Sequence, residues 1–398
     1  MAPLPDYPEA LAALCNGPWH PTSTERICLD QASDRILAGT ITADRDLPPF
    51  DRAAMDGYAL RTADLDAGTP LPSVGFIAAG DPSMPDVPEG SCIGIATGAP
   101  VPASLDAVVP HEWTDRGDPV TFHEHPVPGQ SIHRRGSDAA EGAELVHEGT
   151  RLGAAEIGLA AAVGQSTVVV RTQPTVTILS SGDEIIPIEV LPEPHQVRNS
   201  NLPMVTDLLA RMGARVVESA LLPDDPDHTR DVLQNATSDV IVTIGGISAG
   251  ARDAFRDAID AMDASIVLRG AAIQPGRPIQ VASIGAVGEE RPILSLPGNP
   301  VSALCTACLF AWPLFLMLQG APPQLPWTRG VLGSDAARNA RRRRFRPVTR
   351  DSEGHLHVPT WQGSGDLAHA AGTIGLVDLA AGADAITAGT EVTWMPWP

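Results

Sequence analysis

The 398-residue chain contains no lysine; all 27 of its basic residues are arginines. That absence removes two chemistries at once. A Walker A loop needs its lysine against the phosphates, and a Schiff-base mechanism needs a lysine amine. A GxGxxG fingerprint after a first strand is also missing, so a Rossmann dinucleotide site is not expected. Any phosphate compound bound here has to be held by backbone N–H groups, arginines and a metal. Basic charge as a whole is scarce. The 48 acidic residues leave a formal net charge of −21, with a pI near 4.8. Sequence-independent affinity for nucleic acid comes from neutralising phosphates, so this balance argues against a nucleic-acid partner.

Paired cysteines are lacking too. Cys15, Cys28, Cys92, Cys305 and Cys308 are odd in number and show no zinc-type spacing. Cys305 and Cys308 form a CxxC, but they lie in an apolar helical pattern and read as small core residues. The eleven histidines make no HExxH, and His123 and His125 alternate along a β-type run as surface residues would. No Ser-His-Asp or Cys-His arrangement declares itself. The opening MAPLPDYPEA is acidic and proline-rich, unlike a signal peptide. The longest apolar run, Val301–Leu318, approaches transmembrane length. It follows directly on a strand and a turn and contains Ser302, Thr306 and Pro313, so a buried helix is the expectation. A soluble, cytoplasmic protein with no membrane partner follows.

What is present is organised around Asp239–Arg256, DVIVTIGGISAGARDAFR. Its first six residues are mostly β-branched and apolar, which reads as a buried parallel strand. The strand runs into Gly245-Gly246, then Ser248 and Gly250. A helical run follows, with Phe255, Ile259 and Met262 on one face. Glycine at such a turn lets backbone N–H groups approach an anion. A second copy lies at 292–312: PILSL, then Pro297-Gly298-Asn299-Pro300, then a helix. Each alone reads equally as an ordinary βα turn. Together, at the ends of neighbouring strands, they would face one crevice, where open α/β sheets bind ligands.

Along the chain, residues 8–15 read as a helix, 25–30 and 35–43 as a brief strand and a helix, and Pro48-Pro49 as a break. From Asp51 to about Arg135 short β runs alternate with Pro and Gly, and 154–162 returns to a helix. Strands and helices alternate from Pro174 to the Pro322-Pro323 break. Short β runs then fill 324–398. The expected fold class is multidomain α/β plus β. A discontinuous N-terminal segment (1–45 with 137–172) carries a β-rich insertion (46–136). A three-layer α/β domain with a mostly parallel sheet follows (173–322), then a small β-barrel-like domain (323–398).

Three acidic positions follow strand ends: Glu184 in Ser181-Gly182-Asp183-Glu184, Asp224 in Asp224-Asp225-Pro226-Asp227, and Asp253. Beside two anion-type turns they suggest a divalent cation holding a phosphate, since Mg²⁺ favours a few carboxylates with substrate phosphates completing its shell. Asp225 and Asp227 read first as helix-capping or solvated residues. Arg277, in Gln274-Pro275-Gly276-Arg277, has the fork to clamp a phosphate or to sit on the surface. Asn199, Ser200 and Asn201 read as an N-cap cluster. The run Arg341–Arg344 reads by default as a solvated strand edge, with an anion-facing patch as the alternative.

These residues resemble a known family. LPPFDRAAMDGYALR (47–61), ATGAPVP (96–102), RRGSD (134–138), SSGDE (180–184), PDDP (223–226), GGISAG (245–250) and LPGNPVSA stand in the order of the MoeA family of molybdopterin molybdenumtransferases, similar to the C-terminal domain of gephyrin. The resemblance covers nearly the whole chain. It implies an elongated four-domain homodimer in which adenylylated molybdopterin and molybdate give molybdenum cofactor and AMP, with Mg²⁺ on the pyrophosphate. It implies further that Asp56, Thr97 and Asp138 face the active site from the partner subunit, and that Glu184, Asp224 and Asp253 bind the metal or orient molybdate. Gly245, Gly246 and Ser248 would cradle the ligand, with Gln274 and Arg277 beside it. Pro297, Gly298, Asn299 and Pro300 would line the pterin or phosphate side, and Arg346 and Ser364 would reach in from the last domain. A molybdopterin adenylyltransferase and molybdoenzymes are the implied partners.

The chain departs from the family pattern where charge matters. KPGKP is here QPGRP, a second family lysine falls near Gly270, RRGED is RRGSD, and the tyrosine after the family's Asp falls at Ala254. Glutamine cannot replace a charge against a polyanion. Arg269 and the 341–346 arginines are the candidates for compensation. A non-catalytic molybdopterin-binding or scaffold paralogue, and a tungstate-using variant, stand as the alternatives.

Overall fold

The computed structural model describes residues 3–65, 69–247 and 253–398, and the chain divides into two compact units. The smaller comprises residues 40–147 and 154–166. Its main sheet contains β1 (Gly57–Leu60), β2 (Ser73–Ile77), β3 (Cys92–Ile95) and β4 (Ala107–Pro110), in the order β2-β3-β1-β4. Both faces are covered, as alternation along a strand permits. Ala59, Ile77, Ile93 and Ile95 pack on one side, and Leu60, Cys92 and Val109 on the other. The helix Ala154–Ala162 forms where its alanine-rich sequence favours it.

The larger unit holds a six-stranded sheet. Its strands are β5 (Thr175–Ser181), β6 (Arg215–Leu222), β7 (Val240–Ile244), β8 (Ser265–Arg269), β9 (Gln280–Ile284) and β10 (Arg291–Leu296), in the order β6-β5-β7-β10-β9-β8. The first four in that order are parallel, and β9 runs antiparallel to both its neighbours, β10 and β8. Every residue of β7 is buried, which is why that stretch is an unbroken apolar run. Val176, Ile178, Val242 and Leu294 face one layer, formed by α1 (Asn201–Arg211) and the helix Pro300–Leu318. Leu179, Ile241 and Ile293 face the other, formed by α2 (Pro226–Asn235) and α3 (Ala254–Ala261). The three-layer arrangement is therefore present.

Helix α4 (Pro300–Leu318) is long and apolar enough to cross a membrane, yet 83% of its apolar window is buried within the protein. Cys305 and Cys308 lie inside it, fully buried as core residues, and burial pushes both thiols up. Four further strands, β11 (Thr328–Val331), β12 (Arg343–Arg350), β13 (Gly375–Leu379) and β14 (Glu391–Pro396), form the second sheet of this unit. A two-residue strand, Ile273–Gln274, leaves the α/β region and pairs in parallel with β12, Gln274 opposite Arg344.

One expected element fails. Residues 35–43 are not helical: Ile36 bridges Arg151, and Ile41–Thr42 is a strand paired with Glu144–Val146. Gly39 and the β-branched run Thr40-Ile41-Thr42 disfavour a helix, and the partners that reward extension lie about a hundred residues away.

Candidate active site

Strand register builds the site. Ser180 of β5 is level with Ile244 of β7, and Ile244 with Leu296 of β10. Three parallel strands thus end side by side, and the turns that follow them line one cavity of about 680 Å³. Ser181, Gly182 and Glu184 come from the first turn, Gly245 and Gly246 from the second, and Pro297 to Pro300 from the third, with Asp224 entering after β6. Glycine is required at 245: its φ is +89°, and a Cβ there would lie 2.9 Å from the Ser181 carbonyl oxygen.

Part of the backbone at these turns is committed elsewhere. The Gly245 N–H donates to the Leu296 carbonyl (3.0 Å) and the Val301 N–H to the Ser364 carbonyl (3.0 Å). Pro297 and Pro300 have no N–H to offer. These turns shape the wall. Asn201 Nδ2 donates to the Gly298 carbonyl (2.6 Å) and Asn299 Nδ2 to Ser364 Oγ (3.0 Å), fixing that wall from both sides. Asn199 donates to Ser180 Oγ (2.8 Å) while its Oδ1 accepts from the Leu202 N–H. The Asn199-Ser200-Asn201 cluster therefore lines the cavity as well as starting α1, a role that capping alone had concealed.

Glu184 and Asp224 both line this cavity; Asp253 does not. Asp253 is only 7% exposed, drawn inward with the buried Ala254 and Phe255 that open α3. Among the described residues no three His, Cys, Asp or Glu side chains form a metal-type cluster. Two carboxylates facing a ligand-sized cavity fit Mg²⁺ completed by a ligand's phosphates. Asp225 is a cap, accepting from the N–H groups of Asp227 and His228. Ser248 lies outside the described residues.

A second cavity, of about 620 Å³, adjoins the first and shares Pro278, Pro297 and Asn299 with it. Gln274, Arg277, Arg342, Arg344, Arg346 and Ser364 line it, and among the described residues no carboxylate does. Side chains alternate along β12, so Arg344 and Arg346 share a face with Arg342 just ahead of the strand. Arg343 points the other way, to Asp378 and Asp6. Arg342 and Arg344 of the run thus face this cavity and do not lie on a solvated edge. Trp361 lies under Arg346, whose guanidinium carbon is 3.8 Å from the ring centroid. Burial, reinforced by Arg344, brings Arg346 down to about 10, which still leaves it charged at neutral pH. Arg344 is likewise lowered by burial and by Arg342. Arg269 does not contribute: it pairs with Asp260 and lines neither cavity.

In the smaller unit, Asp56 and Thr97 come together. Asp56 Oδ1 accepts from the Thr97 N–H (2.7 Å) and hydroxyl (2.9 Å), which holds its carboxyl below the usual range. Asp138 accepts from His133 Nε2 (2.8 Å), while Arg52 donates to His133 Nδ1 (3.1 Å). With Nδ1 accepting, the imidazole donates through Nε2, and this bond keeps the Asp138 carboxyl low.

Comparison with known proteins covers nearly the whole chain. Residues 6–164 match the MoeA N-terminal region (domain I and II), 177–316 a probable molybdopterin binding domain, and 329–397 the MoeA C-terminal region (domain IV). The chain is 33% identical to a molybdopterin molybdenumtransferase of Synechococcus elongatus over 94% of each chain. It is 34% identical to molybdopterin molybdenumtransferase 2 of Mycobacterium tuberculosis, over 92% of this chain and 93% of that one. A crystal structure of the molybdopterin biosynthesis moeA protein from Pyrococcus horikoshii superposes with a TM-score of 0.82 at 26% identity, covering 99% of this chain and all of that one. With the crevice at the ends of β5, β7 and β10 and these matches along its length, the chain belongs to the MoeA family of molybdopterin molybdenumtransferases.

Proposed function

We propose that this transferase inserts molybdenum into adenylylated molybdopterin, giving molybdenum cofactor and releasing AMP. The observation that carries the reading is one acidic and one cationic cavity joined across Pro278, Pro297 and Asn299. A pterin bearing a pyrophosphate and a nucleotide, together with an oxyanion, needs both kinds of surroundings.

Glu184 and Asp224 are the residues that would hold Mg²⁺. Bound there, the ion supplies charge neutralisation at the pyrophosphate. The rest is the work of the chain's own groups. Arg277, Arg342, Arg344 and Arg346 draw in and hold oxyanion groups, and Asn201 and Asn299 keep the shared wall in position. Attack of a molybdate oxygen on the adenylate then requires mainly alignment and electrostatic stabilisation, with little covalent work for the protein.

The full reading has the boundaries 1–45 with 137–172, 46–136, 173–322 and 323–398, the last barrel-like, in an elongated homodimer. Asp56, Thr97 and Asp138 of the partner subunit complete the site. The protein works in the cytoplasm, supplied by an adenylyltransferase and serving molybdoenzymes. The cationic cavity counts against the non-catalytic scaffold alternative, whose main ground is the missing lysines.

The test is AMP release from adenylylated molybdopterin with Mg²⁺, with and without molybdate. Molybdate-dependent release is expected. Tight binding without release would replace the enzyme by a scaffold, and release driven by tungstate in preference to molybdate would make it the tungstate variant.

A further inference from the structure

Gln274 stands where charge is missing, yet it is not idle. Its Oε1 accepts from Asn339 Nδ2 at 2.8 Å. The Oδ1 of the same Asn339 accepts from the backbone N–H groups of Arg341 (2.9 Å) and Arg342 (3.1 Å). Gln274 is also the β-partner of Arg344. One glutamine thus anchors the loop and the strand that carry two of the cavity's arginines. None of Arg277, Arg342, Arg344 and Arg346 forms an ion pair among the described residues, although the chain carries a net charge of −21. Arg344 and Arg346 each keep a buried Nε with no hydrogen-bond partner. Arg342 and Arg344, two like charges on a cavity that no carboxylate lines among the described residues, mark a place prepared for an anion.

We propose that Arg342 and Arg344 are binding residues for a tetrahedral oxyanion, and that Gln274 is a positioning residue that holds them on the cavity through Asn339. The charge that Gln274 lacks is supplied from the neighbouring strand and the loop just ahead of it. The anion is either free molybdate or the phosphate of the nucleotide. Only this identity rests on the transferase reading.

The experiment is calorimetric binding of molybdate and, separately, of AMP to the full chain and its variants, with thermal melting as a check on folding. Arg342→Ala/Arg344→Ala weakens binding by about tenfold or more and flattens its dependence on salt. Gln274→Ala and Asn339→Ala each weaken it, and in the Arg342→Ala/Arg344→Ala background Gln274→Ala has no further effect, because it acts through those arginines. Loss for molybdate alone assigns the free oxyanion; loss for AMP alone assigns the nucleotide phosphate; both outcomes support the clamp. Unchanged binding of both in the double variant overturns it. An undiminished Gln274→Ala effect in that background overturns the positioning role. Clamp-dependent binding without AMP release would sink the transferase reading and leave this one standing.

Discussion

Asp56 Oδ1 accepts two hydrogen bonds from one residue, Thr97, at 2.7 Å from its N–H and 2.9 Å from its hydroxyl. Positions 41 residues apart are locked together because β1 and β3, which lead into and out of them, are antiparallel neighbours. The backbone N–H is the larger cause of the lowered carboxyl and the hydroxyl the smaller. Thr97→Val removes only the hydroxyl. The Asp56 titration, followed by carboxyl carbon NMR, should then move up part of the way toward the ordinary value. A titration that does not move would mean that the hydroxyl leaves Asp56 untouched.

Glu184 and Asp224 line the acidic cavity, and Asp183, between Glu184 and the strand end, reaches Asp224 by a backbone N–H at 3.3 Å. Glu184→Gln keeps the shape and removes one charge. AMP release should fall by about a hundredfold or more, the scale seen when one transition-state stabiliser is lost. Ligand binding should stay largely intact, and more Mg²⁺ should be needed to reach the residual rate. Normal turnover at the usual Mg²⁺ concentration would take Glu184 out of the metal role.

The α/β region was legible because its signals are local. Asp239 to Ile244 is apolar throughout since both faces of β7 are covered, and the glycines after it are forced by the close approach of Ser181. Arg342 and Arg344 were harder. Which side of the sheet they face depends on the neighbours of β12 and on the arm Ile273–Gln274, which pairs with it across about seventy residues of sequence. Asn201 reads as part of a helix cap because its partner, the Gly298 carbonyl, lies 97 residues away. Asp253 reads like the other acids that follow strands, and a local pattern carries no sign of its burial at the start of α3. Periodicity and turn chemistry report the nearest few residues. The sites that mislead are those whose partner is brought in by the sheet.

Gly245 provides a test of the wall between the strand ends. Gly245→Ala places a methyl group 2.9 Å from the Ser181 carbonyl oxygen on a backbone with φ of +89°. The strain should cost about 1–3 kcal/mol, readable in the urea midpoint. Because Ser181 and Gly245 both line the cavity, ligand affinity should fall by more than the stability loss alone explains. Full affinity with a lower midpoint would show that the floor can shift without consequence.

The smaller unit should lose stability in acid, and Asp51 makes the sign testable. Its Oδ1 accepts from the Arg135 N–H (2.8 Å) and its Oδ2 from Arg134 (2.6 Å), and these bonds hold its carboxyl below the ordinary value. Asp46 is held low by the Glu141 N–H and Arg135, and Asp115 is brought to about 2 by the Thr121 hydroxyl and neighbouring N–H groups. A carboxyl lowered by folding contributes stability that is fully present above its unfolded value of about 3.9. That stability is lost as pH falls through the folded value. The melting temperature should therefore be level from neutral pH to about 5 and fall between about 4 and 2. Asp51→Asn should melt below the parent at pH 6, and the gap should close toward pH 2, where the parent's Asp51 is itself protonated. A gap that stays constant with pH would trace the loss to packing rather than to the charge.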